Sequence, residues 1–255
     1  MEIGLHQKML RELNEALKKP GHKWAMVIDN RKCVGCYSCV VSCAAENVAP
    51  PGTSLRLVYE AETGDYTKAD RFFMPVNCMQ CDNAPCKEAA DKIEKGIVTR
   101  RPDGIVVFDY EKLKKNKKAR EAIMEACPYK VVFEDKGGFY TENTPVFEKY
   151  EEREFFDIKK LTRKGNAMEG TLRKCDFCIH RVENGLLPVC VTTCIGGAIY
   201  FGDINDPNST VSRKVRENKT FRMYEENKPN VYYIGFKTRE SFVPSNIEKC
   251  VECHG

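Results

Sequence analysis

Leu5, Met9, Leu10, Leu13 and Leu17 recur at three- to four-residue spacing and stop before Pro20-Gly21, which predicts an amphipathic helix within residues 1–22. Ala25-Met26-Val27-Ile28 is an unbroken apolar run and predicts a buried strand. A Pro50-Pro51-Gly52 turn then leads into the extended segment Leu55-Arg56-Leu57-Val58-Tyr59. Gly104-Ile105-Val106-Val107-Phe108-Asp109 predicts another strand, and the lysine-rich stretch from Glu111 to Glu125 a helix. Ala198-Ile199-Tyr200-Phe201 reads as a further strand. Residues 136–172 are charged and aromatic without a period, and we read them as an insertion that covers the surface or meets a partner.

The apolar pattern leaves the cysteines unexplained. There are 14 in 255 residues, and all but Cys127 fall in groups rather than singly. The first group, Cys33-x-x-Cys36-x-x-Cys39-x-x-x-Cys43, has the spacing of a two-cluster ferredoxin, although Ala44 stands where that pattern has proline. The second is Cys78-x-x-Cys81-x-x-x-x-Cys86. The third is Cys127-Pro128, and the fourth joins Cys175-x-x-Cys178 to Cys190-x-x-x-Cys194. Disulfide frameworks belong to short secreted scaffolds, so metal ligation is the better reading. Zinc would take cysteines in two pairs per ion, whereas these runs hold three cysteines and one distant partner.

In such a ferredoxin unit the last cysteine of each run crosses to the other cluster. Pairing the first group with the fourth gives Cys33, Cys36, Cys39 and Cys194 at one site, and Cys175, Cys178, Cys190 and Cys43 at the next. Pairing the second with the third gives Cys78, Cys81, Cys86 and Cys127. A fourth site in the same register would use positions 117, 120, 123 and 90, which hold Lys117, Arg120, Ile123 and Ala90. All four ligands are absent together, so the expectation is three [4Fe-4S] clusters on twelve cysteines.

With these groups, Lys23-Trp24-Ala25-Met26-Val27-Ile28-Asp29, Lys174-Cys175-Asp176-Phe177-Cys178 with Arg181, and Phe201-Gly202-Asp203-Ile204-Asn205-Asp206-Pro207 leading to Val231-Tyr232-Tyr233, the chain resembles the iron-sulfur subunits of the dimethyl sulfoxide reductase superfamily of molybdopterin oxidoreductases. The resemblance spans roughly residues 23–236. It implies an α+β fold of two fused ferredoxin-like [4Fe-4S] units, the second inserted into the first. Residues 23–75 and 173–236 would form the split first unit and 76–135 the second, with 237–255 as a tail. It implies a non-catalytic electron-transfer subunit between a molybdopterin catalytic subunit and a cytochrome or membrane quinone-reactive partner, in anaerobic respiration. The Cys33 site would face the catalytic subunit. Tetrathionate, thiosulfate or polysulfide reductase and formate dehydrogenase are the partner expectations; the small subunit of a pyrogallol transhydroxylase-like enzyme is the alternative, and a zinc-built interaction module a weaker one. Cys194-Ile195-Gly196-Gly197 departs from the family's Cys-Pro and alters the turn behind the ligand.

The end of the chain, Cys250-Val251-Glu252-Cys253-His254, matches the C-x-x-C-H attachment pattern of a c-type haem, with His254 as axial ligand. A bare redox-active or partner-bound thiol pair is the competing reading. Lys112, Lys114, Lys115, Lys117, Lys118 and Arg120 form a basic stretch, read either as a solvated helix face or as a docking patch for an acidic partner. A net charge of +4 argues against nucleic acid as a partner. His6, His22 and His180 are assigned only packing or surface roles. No run of 18 apolar residues and no signal-peptide pattern is present, so no direct membrane span is expected. Placement outside the cytoplasm by co-export with a twin-arginine partner is the favoured expectation, with a cytoplasmic place as the alternative.

Overall fold

A computed structural model describes residues 4–50, 53–63, 67, 70–136, 161–162, 165–166, 168–235 and 248–249. Most of the 136–172 insertion, and the haem-pattern residues Cys250, Cys253 and His254, lie outside the described residues.

Helix α1 runs over Leu5–Leu17 and buries Met9, Leu13 and Ala16, the face its periodicity predicts. Strand β1 follows at Trp24–Asp29, with all six residues buried. After a 3-10 turn at Asn30–Lys32 comes α2, Ser38–Asn47. Strands β2 (Arg56–Thr63) and β3 (Asp70–Asn77) form an antiparallel pair in which Arg56 faces Asn77. Helix α3 is Pro85–Asp91, and β4 (Val98–Arg100) pairs with β5 (Val106–Phe108). Then come α4 (Tyr110–Lys115), α5 (Lys117–Ala126), β6 (Phe133–Glu134), the small pair β7 (Leu161–Thr162) and β8 (Gly165–Asn166), and β9 (Leu172–Arg173), which pairs with β6. Short helices α6 (Ile179–Val182) and α7 (Val189–Thr192) precede β10 (Ile199–Asp203), α8 (Thr210–Glu217), β11 (Thr220–Phe221), β12 (Val231–Ile234) and β13 (Glu248–Lys249).

The main sheet has the order β10-β1-β12-β11. Strand β1 lies antiparallel to β10 and parallel to β12, so it is central and buried on both faces, which explains its unbroken apolar run. Trp24 stacks on Phe201 across the β1–β10 pair at 5.4 Å between ring centroids, and Phe177 meets Phe201 edge-on at 5.3 Å. The α1 helix is fastened to this body by Glu12, whose carboxylate accepts hydrogen bonds from the Thr210 backbone N–H at 2.8 Å and the Thr210 hydroxyl at 2.9 Å, at the start of α8.

The helix expected from Glu111 to Glu125 is two helices. Asn116 leaves helical geometry at φ −120°, ψ 86°, and its side-chain oxygen accepts the Ala119 N–H at 3.0 Å, so one helix ends and a new one is capped at the same residue. Among the described residues no helix is long and apolar enough to cross a membrane.

Candidate metal centres

Cys33, Cys36, Cys39 and Cys194 line one apolar cavity together with Gly35, Val58, Pro75 and Ile199. Cys33 and Cys36 come from the loop that enters α2 and Cys39 from the helix's first turn; in the loop Gly35 (φ 64°) and Tyr37 (φ 57°) take left-handed conformations and wrap the chain around the space. Cys194 follows α7, and the Ala198 N–H donates to its sulfur at 3.2 Å. The Gly196-Gly197 turn behind it is needed here, because a Cβ on Gly196 would collide with the Lys32 carbonyl and Gly197 sits at φ 57°.

Cys43, Cys175, Cys178 and Cys190 form a second group. The Cys175 thiol is raised well above its ordinary pKa by burial and by the neighbouring sulfurs of Cys43, Cys178 and Cys190. Burial, with Cys190 beside it, pushes the Cys43 thiol up to about 12. Donors converge on these sulfurs: the Phe177 N–H and the Asn77 amide on Cys175 at 3.4 and 3.7 Å, the Asn47 amide on Cys43 at 3.4 Å, and the Arg56 guanidinium on Cys190 at 3.6 Å.

Cys78, Cys81, Cys86 and Cys127 line a third cavity with Met79, Pro85, Val106, Pro128, Tyr129 and Lys174. Pro85 opens α3, placing Cys86 in its first turn, and Cys127 stands where α5 ends. The Tyr129 hydroxyl lies 3.5 Å from the Cys81 sulfur and donates to the Met223 carbonyl at 3.1 Å. Burial again pushes Cys86 up to about 12.

The donor sets fit iron-sulfur clusters. Among the described residues no three Cys, His, Asp or Glu side chains stand close enough to hold a single metal ion, yet four cysteines border each cavity named above. Sulfurs spread around a shared space suit a cluster of several atoms better than one zinc at about 2.3 Å from each sulfur. N–H groups aimed at sulfur stabilise thiolate ligands, which burial by itself disfavours.

The family model of the 4Fe-4S dicluster domain matches residues 69–144 and 160–204. A selenate reductase subunit of Mesobacillus selenatarsenatis is 41% identical over 233 residues, 89% of this chain and 77% of that protein. A tetrathionate reductase subunit of Salmonella typhimurium is 33% identical over 85% of this chain and 74% of its own length. A putative dimethyl sulfoxide reductase iron-sulfur subunit of Halobacterium salinarum is 32% identical over 83% and 78%. The chain belongs to the iron-sulfur subunits of the molybdopterin oxidoreductases. An iron-sulfur subunit of this family binds [4Fe-4S] clusters, transfers electrons and is not catalytic by itself.

In this iron-sulfur subunit positions 90, 117, 120 and 123, where the sequence register would put a fourth ligand set, hold Ala90, Lys117, Arg120 and Ile123. Helix α3 packs on α5, and Ala90, Ala119 and Ile123 are fully buried between and around them. Lys117 is exposed beside Glu121 at 3.7 Å, and Arg120 donates to the Leu113 and Lys114 carbonyls at 2.7 and 3.1 Å, closing the end of α4.

The sequence reading missed several residues that shape the sites. His180, given a packing or surface role above, joins α6 to α2: its Nε2 meets Glu46 at 2.7 Å, and Arg181 reaches the other oxygen of Glu46 at 3.2 Å. Gln80, fully buried at φ 50°, accepts from the Val106 N–H at 2.8 Å and donates to the Cys175 carbonyl at 2.7 Å. Arg56 is buried at the start of β2 beside the apolar Leu55, Leu57 and Val58, and a charge among those inward residues is the one sequence signal that could have marked it.

Proposed function

We propose that the subunit carries three [4Fe-4S] clusters, on Cys33, Cys36, Cys39 and Cys194; on Cys175, Cys178, Cys190 and Cys43; and on Cys78, Cys81, Cys86 and Cys127. The carrying observation is the convergence of each predicted quartet: two line apolar cavities and the third forms a buried group of mutually interacting thiols. Bound clusters supply reversible one-electron redox. The chain's own residues hold them apart from solvent, fix their order and set their surroundings through N–H donors and fixed charge.

The reading includes two fused ferredoxin-like units. It is supported by β1 pairing with β10 and β12, which closes residues 24–29 onto 199–203 and 231–234 around an intervening segment with its own β4–β5 pair and its own helices. The first site is the proposed contact with a molybdenum or tungsten pterin catalytic subunit, because large apolar side chains beside its ligands face outward: Val34 is 60% exposed and Ile195 74%. An oxyanion reductase of the selenate or tetrathionate kind is the preferred partner, following the relatives. Electrons pass on to a cytochrome or membrane quinone-reactive subunit, with the exposed Lys114, Lys115, Lys117 and Lys118 as the docking face. Cys250, Cys253 and His254 are the proposed haem c site, and co-export places the complex outside the cytoplasm.

Iron, acid-labile sulfide and denatured pyridine haemochrome, measured on one sample, test this. About twelve irons per chain are expected, four per cluster. About sixteen would overturn the three-cluster assignment, and absence of covalent haem would overturn the tail assignment.

A further inference from the structure

Arg56 is 1% exposed. Its Nη1 donates to the Asn77 side-chain oxygen at 2.9 Å and lies 3.6 Å from both the Cys190 and Met26 sulfurs. Its Nε and Nη2 are buried and meet no oxygen or nitrogen acceptor among the described residues, the Cys39 sulfur being a further side-chain partner of the guanidinium. Burial opposes its charge, and what favours that charge is sulfur: Cys190 first, then Cys39 and Cys175. Cys39 belongs to the first quartet, Cys190 and Cys175 to the second, and Arg56 also acts on Cys33 and Cys43. No carboxylate stands among the leading influences that hold it charged. Lys174, another fully buried cation near these sites, differs, because it is tied to the Val106 and Cys175 carbonyls and stands beside the third quartet.

A guanidinium cannot shed its proton in a protein, and burying it without an anion is costly. Four thiolates around a cluster supply the missing negative charge, and reduction adds one more negative charge. We propose that Arg56 is the shared counter-cation of the first and second clusters, a positioning residue that holds both at higher reduction potential than the same ligands would give without it. The direction follows from electrostatics, since a fixed cation in a low-dielectric gap favours the more negative, reduced form of each neighbour. Arg56 thereby eases electron entry at the two clusters on its sides and leaves the third unaffected. This inference rests on the three-cluster assignment.

The test is an EPR-monitored redox titration of the intact complex with Arg56→Gln and Arg56→Lys, the third cluster's signal being identified by its loss in Cys127→Ser. Iron is counted in every sample. In Arg56→Gln the first two clusters should titrate at lower potential than in the unmodified protein while the third stays put; Arg56→Lys should restore them toward the original values. If Arg56→Gln fails to load clusters, loading of Arg56→Lys at near-original potentials supports the counter-cation role. Full loading of Arg56→Gln with unchanged potentials, an equal shift of all three, or failure of both variants to load would overturn it. A wild-type complex with other than three clusters would instead overturn the assignment beneath it.

Discussion

Cysteine brings the thiols, but burial works against their ionisation. Cys43 and Cys86 are pushed up to about 12, and Cys178 and Cys190 also upward, in each case first by burial. A thiol whose folded pKa exceeds its ordinary value of about 8.5 keeps its proton longer in the folded chain than in the unfolded one. Its contribution to stability is therefore complete below about 8.5 and is lost as pH rises toward about 12. The cluster-free chain should accordingly show a lower denaturant midpoint at pH 10 than at pH 7. A second prediction at this scale concerns Cys127, the proposed ligand that lines the third cavity from beyond α3: Cys127→Ser should lose about four irons per chain and leave the other signals in place. Iron analysis with EPR checks it. The candidate ligands were legible in the sequence because cluster chemistry dictates cysteine at fixed spacing. Arg56, Gln80 and Asn77 were not, because one buried polar residue in an apolar strand or loop leaves no periodic trace.

At the scale of elements, Asp82 joins parts of the chain far apart in sequence. It meets Lys23 at the start of β1 and Arg100 at the end of β4, each at 2.7 Å, and accepts from Asn230 before β12 at 2.9 Å. Burial raises its pKa, but Lys23, Asn230 and Arg100 outweigh that and hold it below the ordinary carboxylate value. Asp82→Ala should cost about 2 kcal/mol, less than three full charge-assisted bonds because a quarter of the side chain is exposed, and this would appear as a lowered Tm. The depressed pKa means that its contribution is present above the ordinary carboxylate range and fades as pH falls through it. Strand and helix positions were largely readable from apolar period. The break between α4 and α5 was not, because Asn116 acts through a single cap bond that a lysine-rich helical pattern hides.

For the whole molecule, the exposed Val34 and Ile195 beside the first site set the expected direction of assembly. Val34→Asp with Ile195→Asp should weaken co-purification of the catalytic subunit by at least tenfold while iron content and visible absorption stay unchanged. The sequence by itself determined where the cysteines stand and how they are spaced, and from that spacing come the three proposed quartets and the proposed lack of a fourth set, because each is a matter of residue type and spacing. Membership of the iron-sulfur subunit family followed from the same motifs. Only the tertiary structure decided what stands between and around the sites. Helices α3 and α5 pack on each other around Ala90 and Ile123, Gln80 and Asp82 bind loops to strands far along the chain, and Arg56 lies buried among sulfurs from two of the proposed quartets. Those roles depend on which residues meet across the folded chain, and a buried charge acquires its partner only when distant segments are brought around it.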